Sequence, residues 1–199
     1  MEQVKIAVLV SGGGTNLQAL IDSQNSGVIT SGKIVTVISN KADAYALERA
    51  KKADIKTYTV LKKDCSSQAE FEQKIIDILN NEGIEIIVLA GFMSILSENF
   101  TKLYPNRIIN VHPSLIPSFC GKGFYGLKVH EEALKYGVKV TGATVHFVNE
   151  IPDGGQIIMQ KAVEILENDT AEVLQKRVME QAEWIILPQA VEKVCSMLK

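Results

Sequence analysis

Cysteine is scarce and scattered in this 199-residue chain. Cys65, Cys120 and Cys195 are odd in number and form no CxxC pair. A disulfide framework is excluded, and reduced thiols in a cytoplasmic protein are expected. A chain of this length buries about 70% of its unfolded surface, so it needs no disulfide or metal as a staple. No apolar run approaches the roughly 18 residues of a membrane span. Met1, Glu2 and Gln3 lead straight into a strand-like segment, so a secretory leader is not expected. Excess charge is lacking too. The 21 basic and 23 acidic residues give a net charge of −2, too balanced for a nucleic-acid-binding face. The three histidines, His112, His130 and His146, show no HxxxH or HExxH spacing, so no metal site is expected.

What is present is an ordinary globular composition, 46% hydrophobic and 22% charged, laid out as short apolar runs between amphipathic stretches. Val4–Val10 (VKIAVLV) is nearly continuous in apolar residues, as a strand buried on both faces would be. Further strands are predicted over 34–39, 56–60, 84–90 and 107–111. Helices are predicted from about Leu17, over 43–53 and over 68–81. Thr15 and Gln18 have capping-box spacing, as do Ser67 and Glu70, and Gly83 ends the third helix. Strands alternating with helices imply βαβ units and a parallel sheet.

The rhythm changes after Pro113. A proline-, serine- and glycine-rich stretch to Gly126 reads as a long loop, and such loops are often functional. A short helix over 128–136 ends at Gly137. Strands over 140–148 and 156–164 are joined by seven residues, too few for a helical crossover, so they are antiparallel. Asp169 and Glu172 open a last helix toward Leu198, which Pro188 must kink or interrupt. The expectation is a single α/β domain over 1–199. Its open twisted sheet is mostly parallel and Rossmann-like over 1–111, with antiparallel strands in 112–199 and helices on both faces.

Three motifs carry chemistry. Ser11–Asn16 (SGGGTN) is a glycine-rich turn from the first strand into the first helix. A helix start presents free N–H groups and the positive end of the dipole, which suits a phosphate. The plainer alternative is a tight turn alone. A dinucleotide fingerprint fails, because Leu17 stands where the third glycine belongs and the second predicted strand ends in Ser39-Asn40 without a carboxylate. No Lys-Ser/Thr closes the turn as a P-loop requires. The second motif is Asn110-Val111-His112-Pro113. Residues i and i+2 of a strand face one side, so Asn110 and His112 can project together at a carboxyl strand end. There an amide and an imidazole would hold an oxyanion and move a proton. An ordinary strand end with a hydrogen-bonded histidine is the other reading. The third is Pro152-Asp153-Gly154-Gly155, a strong turn signal whose Asp153 either only turns the chain or also pairs with His112. His146, in the alternating run Thr144–Val148, is expected on the polar strand face.

The succession SGGGTNLQAL, VLAGFMSIL, INVHPSLIPSF and GATVHFVNEIPDGG resembles the phosphoribosylglycinamide formyltransferases, a family of folate-dependent formyltransferases, from Val4 to about Pro188. The resemblance implies formyl transfer from 10-formyltetrahydrofolate to the amine of glycinamide ribonucleotide in purine biosynthesis, without a metal, nucleic acid or membrane. It implies Asn110, His112 and Asp153 as catalytic residues, with Asp153 keeping His112 cationic near neutral pH. Gly14, Thr15 and Asn16 would hold the substrate phosphate, and Glu183 its glycinamide part. Gln68, Met93, Ser94, Ile95, Leu96 and Asn110 would line the folate site, with the 149–155 loop over the pterin. Many relatives carry arginine at the position of Ser94, and arginine or lysine near that of Gln68. Lys62 or Lys63 would be the substitute that the resemblance leaves open. The alternatives are formyltetrahydrofolate hydrolase, a methionyl-tRNA formyltransferase-like enzyme, or a non-catalytic folate or nucleotide binder. The near-neutral charge argues against the tRNA enzyme, and the trio of Asn110, His112 and Asp153 against a mere binder.

Overall fold

Strand β1, Val4–Val10, is buried on both sides apart from Lys5. Ile6, Val8 and Val10 join one hydrophobic cluster, while Ala7 and Leu9 join another. The alternation of a strand thus divides its side chains between two cores. The structure, a computed structural model, describes residues 2–198. The other strands are β2 (Gly32–Ser39), β3 (Lys56–Thr59), β4 (Ile86–Leu89), β5 (Ile108–His112), β6 (Val140–Phe147) and β7 (Ile157–Glu164). The helices are α1 (Thr15–Asn25), α2 (Tyr45–Lys52), α3 (Gln68–Glu82), α4 (Glu98–Leu103), α5 (Leu127–Tyr136), α6 (Ala171–Val178) and α7 (Trp184–Ser196). The seven strands form one sheet in the order β3-β2-β1-β4-β5-β6-β7.

Pairing is parallel from β3 through β5 and antiparallel for β5–β6 and β6–β7. Helices cover both faces. Leu17, Leu20 and Ile21 of α1 pack in one cluster with Leu187, Ala190 and Val191 of α7. Phe71, Ile75 and Leu79 of α3 form the predicted stripe in the other, with Phe100 of α4. Each such fully buried side chain contributes about 1.5–3 kcal/mol. The chain runs outward from β1 to β2 and β3, then returns to β4 on the other side of β1. Ligands bind at the carboxyl ends of strands where the order reverses in this way. Here that crevice lies between the turn after β1 and the loop after β4.

Several local expectations are corrected. Thr15 does not cap α1: it is the first helical residue, and Gly14 precedes it in the left-handed region at φ 73° with no side-chain cap. A Cβ on Gly14 would lie 2.6 Å from the Ala46 Cβ, so α1 and α2 meet through a glycine. On α3, Ser67 does accept from the Glu70 N–H, but the Glu70 carboxylate returns to the Ser66 N–H rather than to Ser67. Helix α4 was not expected. It has six residues, too few to display a stripe, and is capped by Ser97 accepting from the Phe100 N–H. Thr170, not Asp169, caps α6. Asp169 instead accepts from the Leu166 N–H and pairs with Arg177. Pro188 lies inside α7. The interruption comes earlier, as a wide π-type turn over Met179–Glu183. Pro188 can lose only its own N–H bond, and the helix carries on past it. No helix among the described residues is long and apolar enough to cross a membrane.

Candidate active site

Asn110 and His112 stand two residues apart on β5, and both line a cleft of about 590 Å³ at the carboxyl edge of the sheet. The remaining lining comes from Gly91–Ile95 after β4, from the Gly121–Gly126 part of the loop after β5, and from Pro152 and Asp153. A recess of about 130 Å³ opens beside it, sharing Ser94, Ile95, Asn110 and Asp153 and adding Leu96, His146 and residues 148–150. Three widely separated stretches of chain therefore converge on one hollow.

Asp153 is the hinge of this convergence. It occupies the left-handed region at φ 57° within the predicted turn. Its Oδ2 accepts from the Gly121 N–H at 2.8 Å, tying the turn to the loop after β5. Oδ2 also lies 3.6 Å from His112 Nδ1, while Oδ1 lies 3.6 Å from His146 Nε2. At 3.6 Å neither is a hydrogen bond; both are close approaches of the carboxylate to an imidazole ring. Gly155 makes this approach possible, since a Cβ there would lie 1.7 Å from the Phe147 carbonyl oxygen.

His146 was misplaced by the sequence reasoning. It is 1% exposed, not on a solvated face. The antiparallel register sets it directly opposite Asn110. Its Nδ1 donates to the Phe147 carbonyl at 2.8 Å. A carbonyl can only accept, so Nε2 carries a lone pair and receives the Asn110 Nδ2–H at 3.1 Å. This fixes the Asn110 amide with its nitrogen toward His146 and leaves its second N–H for the cleft. The clue in the sequence, a histidine in an alternating run, gains meaning only with the register. Thr144 on the same strand was also missed. Its hydroxyl donates to the Ser114 carbonyl at 2.7 Å and accepts from the Ile116 N–H, holding the segment after His112.

His112 Nε2 donates to the Phe119 carbonyl at 2.9 Å. Burial pushes its pKa below the ordinary value; Asp153 and the Phe119 carbonyl oppose this, and His146 adds to it. Asp153 therefore does not hold His112 cationic as expected, because loss of hydration outweighs one carboxylate at this distance. The proton of the neutral ring sits on Nε2. The Asp153 carboxyl is itself held below its usual range: burial raises it, and His146, His112 and the Gly121 N–H together overcome that.

The other expected residues fall into two groups. Met93, Ser94 and Ile95 line the cleft and Leu96 the recess. Gln68 does neither: its amide donates to Glu72 at 2.7 Å and to the Ile95 carbonyl at 3.2 Å. Glu72 also receives the Ser97 N–H and hydroxyl, so this cluster shapes the loop after β4. At the glycine turn, the Asn16 Nδ2–H donates to Glu183 at 2.7 Å. Glu183 is 6% exposed, and burial raises its pKa against the Asn16 bond. Gly12 and Gly13 have open space where a side chain would be. Arg49 of α2, which carried no signal in the sequence, donates from Nε to the Gly13 carbonyl at 2.8 Å and places a cation beside the turn. The Met93 N–H donates to the Ser11 hydroxyl at 2.8 Å, bringing the cleft wall against the same turn. Among the described residues no group of three or more His, Cys, Asp or Glu could hold a metal ion.

The chain is similar to known proteins along nearly its whole length. Residues 4–191 match the model of the family described as formyl transferase. The chain is 45% identical over 188 residues to the phosphoribosylglycinamide formyltransferase of Haemophilus influenzae, covering 94% of this chain and 85% of that protein. It is also 45% identical to a stretch of the trifunctional purine biosynthetic protein adenosine-3 of Homo sapiens, covering 98% of this chain but only 19% of the larger protein. The crystal structure of glycinamide ribonucleotide transformylase 1 from Symbiobacterium toebii superposes with a TM-score of 0.91 at 40% identity, covering 98% of this chain and 89% of that one.

Proposed function

The chain belongs to the formyl transferase family, and on that premise we propose that it moves the formyl group of 10-formyltetrahydrofolate onto the amine of glycinamide ribonucleotide, in the cytoplasm. One observation carries the reading: Asn110 and His112 of β5 and Asp153 of the turn between β6 and β7 border a single cleft whose wall is bonded to the glycine turn. The phosphate sits at Gly14, Thr15 and Asn16, where the start of α1 offers N–H groups and its dipole, with Arg49 alongside. Glu183 and Asn16 receive the glycinamide part. The folate lies along Met93–Leu96, with the 149–155 loop over its pterin.

The neutral amine attacks the formyl carbon, and the carbonyl oxygen becomes an oxyanion. The free N–H of Asn110 and the Nε2–H of His112 stabilise it once that oxygen replaces the Phe119 carbonyl. His112 Nδ1 stays beside the Asp153 carboxylate, which orients the ring with Nε2 toward the oxyanion. The proton that the attacking amine sheds passes, directly or through water, to the folate nitrogen as the carbon–nitrogen bond breaks. The amine loses one proton, the folate nitrogen gains one, and His112 keeps its own.

The test incubates the protein with 10-formyltetrahydrofolate and glycinamide ribonucleotide, initiator methionyl-tRNA, or water alone. Mass spectrometry identifies the acceptor, and only the ribonucleotide is expected to gain a formyl group. His112→Ala should lower kcat by at least about 10²–10³-fold with folate binding retained. Wild-type turnover by that variant would defeat the assignment.

A further inference from the structure

His112, Thr144 and Gln160 stand directly opposite one another on β5, β6 and β7, so their side chains share one face of the sheet. The segment that leaves His112 crosses this row as far as β7, the edge strand, and then returns to set the Phe119 carbonyl against the His112 ring. Leu115 rides close over Gly142 of β6, where a Cβ would lie 2.9 Å from the Leu115 Cδ2.

The crossing is held through its peptide groups. Thr144 engages the Ser114 carbonyl and the Ile116 N–H. Gln160 holds the far end: its Nε2 donates to the Ile116 carbonyl and to the Thr144 hydroxyl, both at 3.0 Å. A carbonyl only accepts, so the amide nitrogen faces inward and both of its hydrogens are used. The Thr144 hydroxyl, 0% exposed, thereby has its one proton and both lone pairs engaged. The returning limb is fixed in turn. The Ser118 N–H donates to the Leu115 carbonyl, and the Ser114 hydroxyl donates to the Ser118 carbonyl at 2.6 Å. Phe119 and Gly121 follow at once, the first bonded to His112 and the second to Asp153.

We propose that Gln160 is a positioning residue for catalysis. From the edge strand it fixes the Ser114–Ile116 crossing, and through it the Phe119 and Gly121 contacts that set His112 and Asp153. This rests on the formyl-transfer reading. Gln160 lines neither the cleft nor the recess beside it, so it acts on the ring and the carboxylate and not on a substrate. A misplacement of about 1 Å costs about 10²-fold. Gln160 is exposed, and water takes over part of its bonding when it is removed, so the loss is smaller, about tenfold in kcat.

The test is steady-state kinetics with two variants. Gln160→Met keeps the length of the side chain and removes both donors, whereas the ammonium of Gln160→Lys reaches the same two acceptors. The Met variant should lose about tenfold in kcat, with both KM values within about twofold of wild type and the urea midpoint unchanged. The Lys variant should recover kcat to within about threefold of wild type, because it restores the donors. A wild-type kcat in the Met variant overturns the proposal. So does a Met variant in which kcat, the KM values and the urea midpoint all worsen together, or a Lys variant as slow as the Met variant. Wild-type protein that moves no formyl group to the ribonucleotide would instead overturn the formyl-transfer reading.

Discussion

Replacing His130 with leucine should abolish a loss of stability that the wild-type protein shows on mild acidification. His130 lies on α5 fully buried, and neither ring nitrogen has a hydrogen-bond partner. Burial, with a smaller effect from His112, pushes its pKa down to about 4 from the ordinary 6.5. Between these values the unfolded chain binds a proton that the native state refuses. Stability is therefore fully present above pH 6.5 and falls as the pH drops toward 4. The gap corresponds to about 3 kcal/mol, a large part of the roughly 5–15 kcal/mol that holds a domain together. His130→Leu also removes two unpaired buried polar atoms, each a burden of about 1–3 kcal/mol, so the variant should be no less stable at pH 7.5. The assay is urea unfolding of both proteins at steps from pH 7.5 to 4.5. His112 and Asp153 titrate in both and cancel in the difference, which should widen steadily with acid in favour of the variant. Parallel stability curves would refute the reasoning, because they would mean that His130 takes its proton as readily folded as unfolded.

Two further outcomes are expected. Gly14→Ala forces a left-handed φ of 73° on a residue with a Cβ and sets that Cβ 2.6 Å from the Ala46 Cβ and 2.8 Å from its Cα. Conformational strain and overpacking together should cost about 2–5 kcal/mol and raise the KM for the ribonucleotide. Gly12→Ala, in open space at an ordinary φ, should cost less than about 1 kcal/mol; equal losses in urea unfolding would contradict this. His146→Leu should lower kcat about 10²-fold by releasing the Asn110 amide, with both KM values and the urea midpoint little changed. An unchanged kcat would show that Asn110 needs no such orientation.

Where burial is written in a local run or stripe, the sequence was a sufficient guide. Val4–Val10 declares its two buried faces by an almost unbroken apolar run, and Phe71, Ile75 and Leu79 declare one face by their period. The short link from β6 to β7, seven residues between the predicted strands and nine in the fold, declared their antiparallel pairing. Asn110 and His112 were legible because strand periodicity is local. His146 was not, because its role arises from the β5–β6 register, which no window of sequence contains. The charge of His112 was misjudged for a related reason: the carboxylate near it could be guessed, but the burial that outweighs it belongs to the whole fold. Arg49 reaches the glycine turn from another helix, and ordinary spacing on α2 gives no sign of it.

The wide turn over Met179–Glu183 sets the phase of everything on either side of it. One residue advances an α-helix by about 100°. Leu174 and Val178 before the turn, and Ile186 and Leu187 after it, all face the same core. Glu183, at the end of the turn, points instead to Asn16. Deleting a single residue there would leave each apolar stripe intact but rotate one against the other, so that either α7 or Glu183 loses its place. The extra residue thus works like a spacer ring on a shaft. It lets the last helix satisfy the sheet and reach the glycine turn at once, two demands that an unbroken spiral could not meet together.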